Sequence, residues 1–444
     1  MSVVSSFVEL LSSFAPMMTA PTYANCILVA SGWIFASGRR TVTEVIQRAG
    51  AVGQKHYTVF HRFFSRARWS MDEVSRLLLG ILLKLVPEGD VVYLAIDDTL
   101  CRKRGLHIFG TGMHHDPLIS CRKVALVNWG HNWVVVGMVV SLPFAPKLAW
   151  CLPFAFRLYI SRKRPRSQRW TGTPRKHKTR PELAVEILQQ ISLWYPDRRF
   201  QVLCDSAYGG QSVLKPLPEG FDVISRLPMN ARLFAPPPRK RGRGRPRKKG
   251  HRLPTPQKLA ATSRRPWKRL RLFIYGKKKT LQVKEMTALW PSAAYRSIKI
   301  LVVRDPSGKV SDQAFFSTNV HLSATQILEA YARRWSIEVA FQNSKSHFGF
   351  EDPQSRKRRA VERTAPFGLV LYSLVIVWFA QHGHARCTFP NRPWYKKKAT
   401  PAFLDILATL RRESLREHFL NTHDWSRGNR KILRQLMASL ALAA

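Results

Sequence analysis

The chain has 444 residues, 45% of them hydrophobic, enough to bury a sizeable core and, by length, to make two to four domains. Lys and Arg total 73 against 27 Asp and Glu, a formal net charge of +46 and a pI near 11.1. So large a positive field calls for a polyanionic partner, with nucleic acid first among them, and it excludes an acidic, self-solvating chain.

Membrane insertion is the other common use of positive charge. The apolar runs Trp133 to Pro143 and Pro366 to Ala380 fall short of the roughly 20 residues a spanning helix needs. They read as a core strand and a core helix, and no secretion signal is expected at the N-terminus. Cys26, Cys101, Cys121, Cys151, Cys204 and Cys387 are scattered without a Cys-x-x-Cys pair, which argues against a zinc ribbon or a disulfide framework. A reducing, cytoplasmic setting fits.

In chain order, residues 1–88 carry apolar-periodic stretches, including Thr41 to Ala49 and Met71 to Val86, and are expected to be helical. Basic residues through the middle of this segment (Arg39, Arg40, Arg48, Lys55, Arg62, Arg66 and Arg68) make it a candidate DNA-binding domain, with plain helical support as the alternative. Val91 to Ile96 then reads as a buried strand that delivers Asp97 at its C-terminal end. Val124 to Trp129 and Trp133 to Val140 read as two strands joined by a Gly130-His131-Asn132 turn. Arg162 to Arg180 holds nine Lys or Arg and is expected to be an exposed loop. A helix opens at Pro181-Glu182, with proline in the first turn where its missing N–H is harmless.

Phe200 to Cys204 is a further strand, ending at Asp205 and repeating the strand-then-Asp arrangement of Asp97. A short strand is expected around Phe221 to Arg226. Pro236 to Arg252 packs nine Lys or Arg into seventeen residues, including Arg243-Gly244-Arg245-Pro246. Leu270 to Tyr275, Thr280 to Lys284, Ile298 to Val303 and Ala314 to Thr318 are expected to form an inserted sheet. Ser323 caps a long helix carrying Tyr331, Arg334, Glu338 and Lys345. Their offsets of 3, 4 and 7 residues place them near one helical stripe, so one carboxylate is flanked by two cations and a phenol. Further helices are expected over Pro366 to Gln381 and Ala402 to Glu417. His114 and His115, next to Asp116, are poor joint ligands on a strand, have no third ligand at hand and are not expected to bind metal.

The run Tyr331 to Lys345 resembles the Y-(2)-R-(3)-E-(6)-K signature of bacterial insertion-sequence transposases of the DDE type. Ile96-Asp97-Asp98-Thr99 is similar to that family's first-acid motif, with Asp98 where a small residue is more usual, which leaves Asp98 as the alternative to Asp97. Leu203 to Tyr208 is similar to its second-acid motif. The resemblance covers about residues 90 to 350. It implies an α/β fold, an RNase H-like mixed sheet flanked by helices with a β-strand insertion domain, here joined to the N-terminal helical domain. The division expected is 1–88 helical, 89–227 and 320–385 catalytic core, 228–319 β-rich insertion with the basic loop, and 386–444 C-terminal helical region.

By the same resemblance, Asp97, Asp205 and Glu338 are the catalytic and metal-binding acids, holding two Mg²⁺ ions with Mn²⁺ as a substitute. Hard cations want carboxylate oxygens, and a metal pair about 4 Å apart suits in-line displacement at phosphorus. Arg334 and Lys345 would meet DNA phosphates and Tyr331 the neighbouring backbone. Trp335 would stack on DNA, with core packing as its alternative. Arg243 and Arg245 resemble the centre of an AT-hook, a generic phosphate-gripping loop being the safer reading. The implied activity is cut-and-paste transposition on terminal inverted repeats and target DNA by a homodimer in the bacterial cytoplasm, associated with the nucleoid, with no membrane partner. The competing readings are an inactive or domesticated DNA-binding regulator and an RNase H-like nuclease, and a hairpin intermediate stays open.

Overall fold

The computed structural model describes residues 2–121, 124–162, 176–238, 247–389, 398–420 and 427–442. Five helices come first: α1 (Ser5–Ser12), α2 (Ala20–Phe35), α3 (Val42–Arg48), α4 (Thr58–Ser65) and α5 (Met71–Leu83). Thr41 caps α3 by accepting the Glu44 N–H, and Ser70 caps α5 by accepting the Asp72 N–H.

The strands are β1 (Val92–Arg102), β2 (Gly112–His115), β3 (Val127–Leu142), β4 (Ala145–Tyr159), β5 (Phe200–Cys204), β6 (Phe221–Leu227), β7 (Leu233–Phe234), β8 (Arg252–Leu253), β9 (Lys268–Ile274), β10 (Lys277–Leu289), β11 (Ser297–Arg304) and β12 (Gln313–Ser317). The remaining helices are α6 (Arg180–Trp194), α7 (Gln211–Leu214), α8 (Pro256–Ala261), α9 (Ala324–Arg333), α10 (Ser336–His347), α11 (Arg358–Trp378), α12 (Phe403–Leu420) and α13 (Arg427–Leu442).

The architecture is mixed α/β, a large mixed sheet flanked by helices. All twelve strands join one sheet of order β2-β3-β1-β5-β6-β12-β11-β10-β7-β8, with β4 paired to β3 and β9 to β10. The central pairs β1·β5 and β5·β6 are parallel, and the paired stretches Val92–Ile96 and Phe200–Cys204 are mostly apolar and buried, as expected of strands covered on both faces. The strands expected to form a separate inserted sheet instead extend this one. β12 pairs antiparallel with β6, Ala314 opposite Leu227, and so satisfies the edge that β6 would otherwise expose.

Gly130-His131-Asn132 is not a turn. β3 runs straight through it, with Gly130 opposite Arg102, His131 opposite Cys101 and Asn132 opposite Leu100, and the hairpin turn comes at Pro143-Phe144 before β4. The glycine is there for closeness: a Cβ at Gly130 would lie 2.2 Å from the Cys101 carbonyl oxygen. We expect Gly130→Ala to cost about 2 kcal/mol, because backbone cannot yield as a side chain can. A shift in the urea unfolding midpoint would measure it.

α11 begins two turns earlier than its apolar run and carries Pro366 in its interior. With the turns that follow, it forms a 29-residue helical stretch long and apolar enough to cross a bilayer, yet 94% of its most apolar window is buried inside the protein. Its partners are the N-terminal helices. Phe367 meets Trp33, Phe63 and Phe64 edge-on at 6.1, 5.9 and 5.6 Å, and Arg363 caps the carbonyls of Phe64, Ala67 and Trp69. The core is therefore continuous from α1 through the sheet to α12.

Candidate active site

β1 and β5 run side by side in the same direction, and their last paired residues are Ile96 and Cys204. Asp97 and Asp205 come next, so the parallel register alone makes them neighbours; Asp205 lies just past the end of β5, whereas β1 does not stop at Asp97 as expected but runs on to Arg102, held by its antiparallel pairing with β3. The chain turns sharply after Asp205: its Oδ1 accepts the Ala207 N–H at 2.9 Å, and Ser225 Oγ donates to its carbonyl at 2.8 Å. Asp97 Oδ1 accepts the Asp98 N–H at 2.8 Å.

Alternation along β1 sends Asp97 and Asp98 to opposite faces. Asp98 is fully engaged on its side. Its Oδ1 accepts from Tyr208 Oη at 2.8 Å, and its Oδ2 accepts from Asn132 Nδ2 at 2.9 Å and Arg180 Nη1 at 2.7 Å. Burial, followed by the Asp98 carboxylate, pushes the Tyr208 phenol up, so it keeps its proton and remains a donor. Sequence reading passed over Tyr208, Asn132 and Arg180 as functional partners. The signal was Tyr208 itself, which closes the Asp-Ser-Ala-Tyr run and ties β1 to the turn that holds Asp205. Tyr208→Phe should cost about 1–2 kcal/mol by removing one donor from a charged, part-buried acceptor that keeps two others, visible as a lower thermal midpoint.

The signature helix is broken where its chemistry sits. α9 opens with a reciprocal cap between Ser323 and Gln326 and ends at Arg333, while α10 starts at Ser336. Between them the backbone tightens: Arg334, Trp335, Ile337 and Glu338 each donate their N–H to the carbonyl three residues back. Tyr331 is buried against Phe315, ring centroids 4.8 Å apart, and the Arg334 guanidinium lies 5.7 Å from the Tyr331 ring centre.

Arg334 joins the helix to the sheet. Its Nη1 lies 3.2 Å from Asp97 Oδ2 and its Nη2 2.8 Å from Glu338 Oε1, while its buried Nε has no hydrogen-bond partner among the described residues. Burial pushes Asp97 up to about 7, against the pull of Arg334 and the Asp98 amide, with Asp98 and Asp205 adding to the rise. The three acids thus gather where the β1·β5 pairing ends, without closing on a point. Among the described residues no group of three His, Cys, Asp or Glu side chains is placed to hold a metal ion, and here the Arg334 guanidinium bridges Asp97 and Glu338. The donor set does suit a hard divalent cation, being all carboxylate, and it already demands positive charge at its centre.

Trp335 is 51% exposed beside these acids, so it is not core. Lys345 turns inward, its Nζ donating to the Leu100 carbonyl at 2.6 Å and lying 3.8 Å from Glu351. Arg243 and Arg245, and residues 163–175 of the first basic stretch, lie outside the described residues. His114, on β2, is buried and pushed down to about 4 by burial and then by Arg180, while Asp116 is paired with Arg102.

A family profile described as DDE superfamily endonuclease matches residues 13–287. The chain belongs to this family. As a DDE superfamily endonuclease it carries Asp97 and Asp205 inside the matched stretch and Glu338 beyond it. A comparison with curated proteins gave no match. Among solved structures, the protein is similar to a piggyBac transposase synaptic complex with hairpin DNA, at a TM-score of 0.39 and 10% identity over 99% of this chain and 81% of that one.

Proposed function

We propose that this endonuclease is a cut-and-paste DNA transposase of the insertion-sequence type, with Asp97, Asp205 and Glu338 as its catalytic acids. One observation carries the reading. Asp97 and Asp205 each follow the last β1·β5 ladder pair by one residue, so they lie side by side where the parallel pairing ends, and Glu338 reaches the same place through Arg334. Three acids at one place in a chain with a net charge of +46 are poorly explained by solvation of a surface.

Bound there, Mg²⁺, or Mn²⁺ in its place, would activate the attacking oxygen and stabilise the leaving one. The protein's own groups do the rest. Asp97 and Asp205 are fixed by the strand register and by backbone amides, so their oxygens are set before substrate arrives. Arg334, with its fork geometry and an unpartnered Nε, is suited to a phosphate oxygen, and Trp335 offers an exposed face for a base. Lys345 holds β1 by the Leu100 carbonyl and so supports Asp97 from behind, in addition to any phosphate contact. The partners are terminal-repeat and target DNA, brought together by two copies of the chain in the cytoplasm. We assign residues 89–227 and 320–385 to the catalytic core, 228–319 to an insertion whose Arg243 and Arg245 would bind DNA, and 1–88 and 386–444 to helical regions.

The test is to incubate purified protein with Mg²⁺ and duplex DNA ending in the inverted repeats that flank its own gene. Nicks at the repeat ends, followed by joining of the freed 3′-OH to a second duplex, are the expected result. An absence of nicking in both Mg²⁺ and Mn²⁺ would sink the proposal.

A further inference from the structure

No acidic residue occurs between Asp222 and Glu285, and the part of this stretch with the most regular structure is the hairpin of β9 and β10. Among the described residues β9 pairs only with β10, and β10 meets β11 only from Gln282 onward. The five pairs from Leu270↔Leu281 to Ile274↔Lys277 therefore stand beyond the sheet as a two-stranded ribbon, about 17 Å long at 3.3–3.4 Å per residue.

The two faces of the ribbon differ. Leu272 and Ile274 are buried with Ala324, Ile327 and Leu328 of α9, and the Phe273 N–H donates to Glu329 Oε1 at 3.2 Å, which fixes the ribbon to the helix leading to Arg334. The outward face carries the opposed pairs Arg269↔Gln282, Arg271↔Thr280 and Phe273↔Lys278. Arg269, Arg271, Lys277, Lys278 and Lys279 are all exposed, and none is in a salt bridge among the described residues. Phe273 is 40% exposed and Tyr275 59%.

The turn adds an independent mark. Tyr275 and Gly276 form a two-residue connection with φ of 53° and 73°, the positive values that a type I′ turn needs at both central positions. Asn or Gly suits the first position, and a bulky aromatic there is a costly choice. A large exposed ring is thus held at the tip of a ribbon rich in unpaired cations.

We propose that the β9–β10 ribbon is a second DNA-binding surface, gripping duplex outside the catalytic pocket, with Arg269, Arg271 and Lys278 on phosphates and Tyr275 leading into a groove. A major groove about 12 Å wide admits a two-stranded ribbon, and unpaired Arg and Lys supply the phosphate contacts. The partner class rests on the functional reading above, while the ribbon itself rests on its own geometry. Because its outward face points away from α9, it anchors DNA without touching the acids.

Metal-free binding of a 30-base-pair duplex of arbitrary sequence, followed by fluorescence anisotropy across a salt series, tests it. The Arg269→Gln/Arg271→Gln/Lys278→Gln variant should weaken binding and lower the slope of log K against log salt by about 2–3, at roughly 0.9 per lost phosphate contact. Neutralising three exposed lysines elsewhere, Lys147, Lys215 and Lys309, should leave the slope near the wild-type value. If the ribbon variant keeps the wild-type slope, or the control variant loses as much, the ribbon is overturned while the endonuclease reading stands. If the wild-type protein binds no duplex at all, the functional reading falls and takes the ribbon with it.

Discussion

Asp205→Asn is expected to lower strand cleavage by on the order of 10³-fold or more while leaving duplex binding within about twofold of the parent. The reason is chemical. Asn has nearly the shape of Asp and can still accept the Ala207 N–H through its carbonyl oxygen, so the turn after β5 persists. What it loses is the anionic oxygen that a divalent cation requires, and several kcal/mol of transition-state stabilisation go with it, each 1.36 kcal/mol being a factor of ten in rate. Asp97→Asn should behave alike, because both residues directly follow the last pair of the β1·β5 ladder. Asp98→Asn should not: its oxygens are committed to Tyr208, Asn132 and Arg180 on the other face of β1, so its effect belongs to stability. Cleavage of labelled repeat-end DNA in Mg²⁺, with binding read separately without metal, distinguishes these outcomes. Wild-type cleavage by the Asp205 variant would remove that residue from the catalytic set.

Local patterns carried much of the site into the sequence. A largely apolar run leading into Asp, met twice, announces two buried strands that carry carboxylates, and parallel pairing then makes those carboxylates neighbours. Helical spacing gave the grouping of Tyr331, Arg334 and Glu338, because i and i+3 or i+4 share a face whether the backbone is α-helical or briefly tighter. Composition and pattern misled where a residue's job was tertiary. Gly130-His131-Asn132 has turn chemistry, yet Gly130 is there for close approach of β1 and Asn132 to donate to Asp98. Pro366 read as a helix start, whereas it lies buried inside α11. The joining of β12 to β6 depends on a free edge that no local pattern records. Lys345 had the right spacing for the stripe, but its partner, the Leu100 carbonyl, comes from a strand 245 residues earlier.

Arg334→Met should destabilise the metal-free protein and make its stability respond more strongly to divalent cations than the parent's does. Arg334 stands between Asp97 and Glu338, with all three side chains at least two-thirds buried. Methionine fills similar apolar volume beside Tyr331 but leaves Asp97 and Glu338 to face each other without a cation. Breaking a well-buried pair costs about 3–5 kcal/mol, and because Glu338 remains about one-third exposed, water screens part of this, so about 1–3 kcal/mol is expected. A divalent ion replaces the missing charge in the variant, whereas in the parent it competes with the guanidinium already there. Mg²⁺ or Mn²⁺ should therefore raise the thermal midpoint of Arg334→Met by more than that of the wild-type protein, and calorimetric titration with Mn²⁺ should find tighter binding in the variant. Cleavage should still fall, since the same side chain is the one placed to leave the acids for a DNA phosphate once metal has taken over their charge. Equal midpoints with and without metal in both proteins would mean that Arg334 is a structural strut and that the acids do not form the cation site.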